Sequence, residues 1–255
     1  MAPETSGDAP LVPRPTAGRV FTARHRVRLG DVDPAGRLRL DAAARHLQDV
    51  SSDDTSDARL PDDQSWVVRR TVIEVLAAPR FLEPIELATW CGGTGSRWAE
   101  RRVSMVGDAG GRLEAAVLWV YVDAATLVPK KLDPAFLTRY GDAAGGRTVG
   151  SRLELPAPPA DGAGVEVRPW PQRRTDLDVL GHVNNAAYWA PVEELLAMRP
   201  DLLAGPVRAT LEFARPLAPG ATPDLVVAHT PDGFTAWLTV AGLVHAAAAV
   251  TRHQS

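Results

Sequence analysis

The sequence predicts an α+β protein made of two tandem lobes, and three observations carry that reading. Residues 20–140 hold one helical stretch followed by four strand-like stretches, and residues 165–255 repeat that order. A Gly-, Ala- and Pro-rich segment, 141–164, lies between them as a linker. Finally, Asp31-x-Asp33-x-x-Gly36 matches Asp176-x-Asp178-x-x-Gly181 at an offset of 145 (178 − 33).

Each element has its own justification. Residues 1–19 are Pro-rich and polar, too poor in apolar surface to order, and read as a disordered tail. Alternation from Phe21 to Leu29 predicts a strand, and Gly30 to Gly36 a turn cluster. Leu38, Leu40, Ala43, Ala44, Leu47 and Val50 recur at helical spacing, so a helix is expected to about Ser51, then an Asp-rich loop to Gln64. Strands follow near Trp66–Leu76, Ile85–Cys91, Trp98–Val106 and Leu113–Val122, with Gly92-Gly93 and Asp108 to Gly111 as hairpin breaks. In the second lobe a strand from Val165 to Arg173 leads into a turn cluster and a helix to about Met198. Strands then follow near Ala209–Ala214, Asp224–His229, Phe234–Val240 and Val244–Arg252. Ile73-Glu74-Val75 also matches Leu211-Glu212-Phe213, each trailed twelve residues later by an acid, Glu86 or Asp224.

Composition removes several function classes. The 255 residues carry a net charge of -3, so no global field favours nucleic acid or an anionic membrane. No apolar run reaches membrane-spanning length, and the N-terminus lacks the apolar core of a signal peptide, so a cytoplasmic location is expected. One cysteine, Cys91, rules out an intrachain disulfide and reads as a buried core thiol. His25, His46, His229, His245 and His253 show no metal-ligand spacing, and no metal or cofactor is expected.

The chemistry concentrates between Arg173 and Glu194. Asp178 and His182 stand four apart across Gly181, and Asn184-Asn185 supply N-cap residues for a helix whose apolar stripe is Tyr188, Trp189 and Leu195. A helix start beside a carboxylate and an imidazole places backbone N–H donors next to an acid/base pair, which suits attack on a carbonyl. Asp178 then activates water or attacks directly, and His182, whose imidazole can both donate and accept a proton, orients the carbonyl or water and shuttles a proton. Backbone groups of Gly181, Val183, Asn184 and Asn185 are the expected grip on the carbonyl oxygen. Glu194 either fixes the imidazole or is a solvated charge. The competing reading is that Asp, Gly and Asn are ordinary turn residues. The first lobe carries Arg37, Arg39 and Leu40 where the second has His182, Asn184 and Asn185. One copy has therefore kept a polar constellation that the other lacks, and the first lobe is expected to serve as pocket wall.

After the tail, the chain resembles the acyl-ACP thioesterases of plants and their bacterial relatives. The resemblance rests on Trp66 to Arg70, Thr89-Trp90, Arg101-Arg102 and Trp119-Val120 in one lobe. In the other it rests on Thr175 to Asp178, His182-Val183-Asn184-Asn185, Tyr188 and Glu194. It implies a double hotdog, two lobes in which a long helix is wrapped by a curved antiparallel sheet. It also implies hydrolysis of fatty acyl thioesters in fatty acid biosynthesis, on acyl carrier protein and without cofactor. Acyl-CoA as substrate, or acyl binding without turnover, are the alternatives, and a homodimer is compatible with either. Asp178 and His182 fall on the family's catalytic aspartate and histidine, whereas its asparagine is here Leu180 and its glutamate and cysteine fall at Pro216 and Leu217. Asp33-Pro34-Ala35-Gly36 further resembles the turn of hydroxybenzoyl-CoA-type thioesterases, which makes Asp33 a possible counterpart in the first lobe.

Overall fold

The computed structural model describes residues 11–60, 65–159, 164–179 and 181–253. Its ten strands form one continuous antiparallel sheet rather than two separate ones. They are β1 (Val20–Arg26), β2 (Ser65–Ala77), β3 (Pro84–Thr94), β4 (Trp98–Gly107), β5 (Arg112–Val122), β6 (Val165–Pro169), β7 (Val207–Phe213), β8 (Asp224–Thr230), β9 (Gly233–Val240) and β10 (Leu243–Arg252). The order β1-β3-β4-β5-β2-β7-β10-β9-β8-β6 reads as the same five-strand pattern from either edge. The lobes meet at the centre, where β2 pairs antiparallel with β7.

That seam carries a pair of symmetric charge contacts. In register, Arg70 lies opposite Glu212 and Glu74 opposite Arg208. Arg208 forms an ion pair with Glu74, and Arg70 lies 3.9 Å from Glu212. The strand residues are related by 138 (212 − 74), whereas the turns are related by 145, so lobe 1 holds seven extra residues between turn and central strand. Part of that excess lengthens its helix.

Helix α1 (Leu40–Ala58) runs a full seven residues past the expected end at Ser51. The Asp-rich continuation stays helical because Ser51, Asp54 and Ala58 prolong its buried face. Asp54 is 1% exposed and is neutralised by Arg101 and by Arg19, whose Nε lies 2.8 Å away. Arg19 is thereby tied down, which corrects the extent of the tail; residues 1–10 lie outside the described residues. The second helix begins as a 3-10 turn (Asn185–Trp189), continues into α3 (Ala190–Ala197) and ends at Met198, where it was expected to. Tyr188, Trp189 and Leu195 are all buried in the core shared with Leu40, Leu47 and Val50 of α1.

Other expectations are corrected. Gly92-Gly93 lies inside β3 at a bulge, not at a hairpin. Glycine is needed there because a Cβ on Gly92 would stand 2.5 Å from the Arg102 side chain. The segment treated as the start of a linker is the end of α2 (Pro134–Ala144), capped by Asp133, whose Oδ1 accepts the Ala135 N–H at 2.7 Å. The short α4 (Pro200–Leu203) also went unanticipated.

The lobes are locked by Glu193 of α3. Its carboxylate reaches across the boundary, pairs with buried Arg37 and accepts the first N–H of α1, from Leu40, at 2.8 Å. It replaces the side-chain N-cap that Arg39 does not supply. Truncating one partner of such a buried pair leaves the other charge unmatched, so Glu193→Ala is expected to cost about 3–5 kcal/mol. Urea unfolding should show a lower midpoint; a midpoint equal to that of the unsubstituted chain would remove Glu193 from this role.

Candidate active site between the lobes

The Asp-x-Asp-x-x-Gly turns of the two lobes fold alike, bond for bond. Asp178 N–H donates to the His182 carbonyl at 2.8 Å, Gly181 N–H to the Asp178 carbonyl at 3.0 Å, and Asn184 N–H to the Asp176 carbonyl at 2.8 Å. In lobe 1, Asp33, Gly36 and Arg39 donate to Arg37, Asp33 and Asp31 at 2.9, 2.9 and 3.0 Å. Gly181 and Gly36 hold φ of 72° and 75°, a left-handed conformation that glycine reaches without strain. Leu180 lies outside the described residues.

What differs is the use of the side chains. In lobe 1 the Asp33 carboxylate accepts the Ala35 and Arg37 amides at 2.9 and 2.8 Å and Arg37 Nε at 3.0 Å. Asp33 is therefore committed to its own turn and to Arg37, and its reading as a site counterpart is corrected. In lobe 2, Asp178 is half-buried and faces a cavity of about 460 Å³ together with Val179 and Asn184. The remaining walls come from lobe 1, among them Gln48 and Thr55 of α1, Trp66, Trp119 and Phe136. The cavity is thus lined largely by one lobe and equipped by the other.

Asn184 caps its helix as its residue type predicts, its Oδ1 accepting the Ala186 N–H at 2.8 Å. Its own N–H is taken by Asp176, so it is not a donor to substrate. The Asn185 N–H, one residue on, has no partner among the described residues. His182 donates its backbone N–H to Asp178 Oδ1 at 3.2 Å, but its ring is exposed, is not among the cavity-lining residues, and has no hydrogen-bond partner among the described residues. Glu194 is exposed as well, which corrects the idea that it fixes a buried imidazole; the buried acid on this helix is its neighbour Glu193. Arg101 and Arg102, among the residues that carry the family resemblance, are held by structural contacts. Arg101 pairs with Asp54, and Arg102, 1% exposed, donates to the Ala115 carbonyl at 2.8 Å. Pro216 and Leu217 offer no acid or thiol, and the Leu217 N–H is held by the Tyr188 hydroxyl at 3.1 Å.

The repeat exposes a residue that reading along the chain missed. At the offset of 145, Glu193 corresponds to Gln48, Leu40 to Asn185 and Arg37 to His182. Glu193 bonds the Leu40 N–H and Arg37, and Gln48 is its counterpart in the repeat. Consistently, Gln48 lines the main cavity with Asp178 and Asn184, and a small recess with Asn185. The half-buried Gln48 amide has no hydrogen-bond partner among the described residues. The signal was in the sequence, in the 145-residue offset, but a lone glutamine on a helix carries no motif.

Residues 18–140 match the acyl-ACP thioesterase N-terminal domain and residues 163–241 the C-terminal domain. The chain belongs to the acyl-ACP thioesterase family. An uncharacterized protein of Mycobacterium tuberculosis is 38% identical over 214 residues, 84% of each chain. Among solved structures, the 12:0-ACP thioesterase from Umbellularia californica is 20% identical with a TM-score of 0.74, covering 91% of this chain and 96% of that one. An acyl-ACP thioesterase from Bacteroides thetaiotaomicron is 19% identical with a TM-score of 0.70, covering 91% and 97%. At these identities the two structures speak for the double-hotdog fold alone. Among the described residues, no helix is long and apolar enough to cross a membrane.

Cys91 also borders the cavity but is 4% exposed, and burial pushes its thiol up to about 11. A disulfide reagent at pH 8 should label the native thiol more than about a hundredfold more slowly than the unfolded chain. Labelling at the unfolded rate would show that Cys91 is open and reactive.

Proposed function

We propose that this chain hydrolyses acyl thioesters, with the acyl group in the lobe-1 cavity and the thioester carbonyl beside Asp178. The carrier is acyl carrier protein, as the family it belongs to suggests. The supporting observation is the placement of Asp178, Asn184 and Gln48 on the walls of one cavity of about 460 Å³ lined by Trp66, Trp119 and Phe136.

The chemistry follows from the groups. The carbonyl oxygen takes hydrogen bonds from the Asn185 N–H and the Gln48 side-chain amide, two donors without partners among the described residues. Asp178 accepts a proton from water as that water attacks the carbonyl carbon. The tetrahedral intermediate collapses, the C–S bond breaks, and the departing thiolate takes a proton, delivered from Asp178 through His182 or solvent. One water is consumed, and a free acid and a thiol are released. The positions at which the family's glutamate and cysteine fall are Pro216 and Leu217, so water activation rests on Asp178.

Asp178→Asn keeps an acceptor for the His182 N–H but removes the base, so kcat should fall by about 10²- to 10⁴-fold with Tm unchanged. Gln48→Ala should lower kcat by about 10²-fold, the loss typical of one oxyanion donor. Assays against acyl-ACP and acyl-CoA of several chain lengths decide the carrier. Absence of hydrolysis on both would end the enzymatic reading in favour of acyl binding without turnover, and full activity in Asp178→Asn would remove the base assigned here.

A further inference from the structure

Histidine spacing along the chain suggests no metal site, yet the fold brings two histidines together. His25 on the edge strand β1 and His46 on α1 place their Nδ1 atoms 3.0 Å apart, with rings tilted by 44°. Asp49, one turn beyond His46 on the same helix, offers a carboxylate oxygen, and the three ligand atoms lie within 4.8 Å of one another. His46 is buried, His25 half-buried and Asp49 exposed.

We propose that His25, His46 and Asp49 bind one divalent transition-metal ion of the zinc class. With zinc–imidazole bonds of about 2.0–2.1 Å at a tetrahedral angle, two nitrogens on one ion lie about 3.3 Å apart, so the observed 3.0 Å needs to open by only about 0.3 Å. Two imidazoles and a carboxylate form a donor set suited to zinc, cobalt or nickel rather than to calcium or magnesium. A second layer is present as well. The other ring nitrogen of His46, Nε2, is buried without a hydrogen-bond partner and lies 3.6 Å from Asp31 Oδ2. A carboxylate behind the far nitrogen of a ligating histidine orients the ring and raises its basicity. Three protein ligands leave room for water at a further coordination position.

Such an ion would clamp the edge strand β1 onto α1. It would also fix Asp49, which borders the cavity that Asp178 faces. The proposal does not depend on the thioesterase reading, because neither His25 nor His46 lines that cavity. The rival account of the 3.0 Å contact is a plain N–H···N hydrogen bond between two neutral imidazoles.

The test is a calorimetric titration of Zn²⁺ into the full chain after chelator treatment, paralleled by the visible absorption of added Co²⁺. One equivalent should bind, with a cobalt spectrum of a nitrogen- and oxygen-ligated ion and a rise in Tm. His25→Ala, on an edge strand where folding is not at risk, should weaken binding by more than about a hundredfold and abolish the cobalt spectrum. Asp31→Asn should weaken it by about 10- to 100-fold, the range for an orienting partner. The exposed-histidine variants His182→Ala and His229→Ala should bind as the unsubstituted chain does. Absence of zinc binding, or binding that survives His25→Ala and is lost in His182→Ala or His229→Ala, overturns the proposal.

Discussion

The structure depends on a carboxylate that crosses from one lobe to the other. Glu193 leaves α3, enters lobe 1 and satisfies the exposed N–H at the start of α1 while pairing with Arg37. Both side chains are under 10% exposed, so neither charge has water as an alternative partner. Burial pushes the Arg37 guanidinium below its usual range while Asp33 pulls it back up, with burial the larger effect. The contact therefore acts as a register pin: any other packing of the lobes strands a buried charge. Together with the Glu74–Arg208 and Arg70–Glu212 contacts at the seam, it holds the two sheets as one.

The same constraint bears on why the two turns differ in how their polar groups are used. The two turns are equivalent in backbone geometry, and each is faced by a side chain from the helix of the other lobe. On one side that side chain is a glutamate and its target an arginine, so every polar group is spoken for. On the other side it is Gln48, which shares a recess with Asn185 and, like the Asn185 N–H, has no hydrogen-bond partner among the described residues. A saturated site contributes stability and nothing else. An unsaturated one, open to a cavity, retains hydrogen-bonding capacity for a ligand.

The seven extra residues in lobe 1 extend this division of labour. They lengthen α1 beyond the point where its partner helix stops, and the extension helps to wall the cavity through Thr55. Helix α2 completes that wall with Phe136, which stacks at 5.0 Å on Trp66. The lobe with the inert turn is thus the one that encloses space. The other lobe lends it Asp178.

Read along the chain, residue type and spacing determined the strands, the duplication and the Asp178 turn. Alternation, helical period, glycine at left-handed positions and asparagine at a cap are local requirements that each residue expresses without its neighbours in space. Tertiary structure alone decided the rest. It decided that Asp33 is consumed by Arg37, that Glu193 rather than Glu194 is the buried acid, and that Asp54 lies on a helix because two distant arginines neutralise it. It also decided that His25 and His46, twenty-one residues apart, touch. The reason is common to all four: the free energy of a charge or a polar group is set by its partners and its exposure to water. Those are fixed only when remote segments pack.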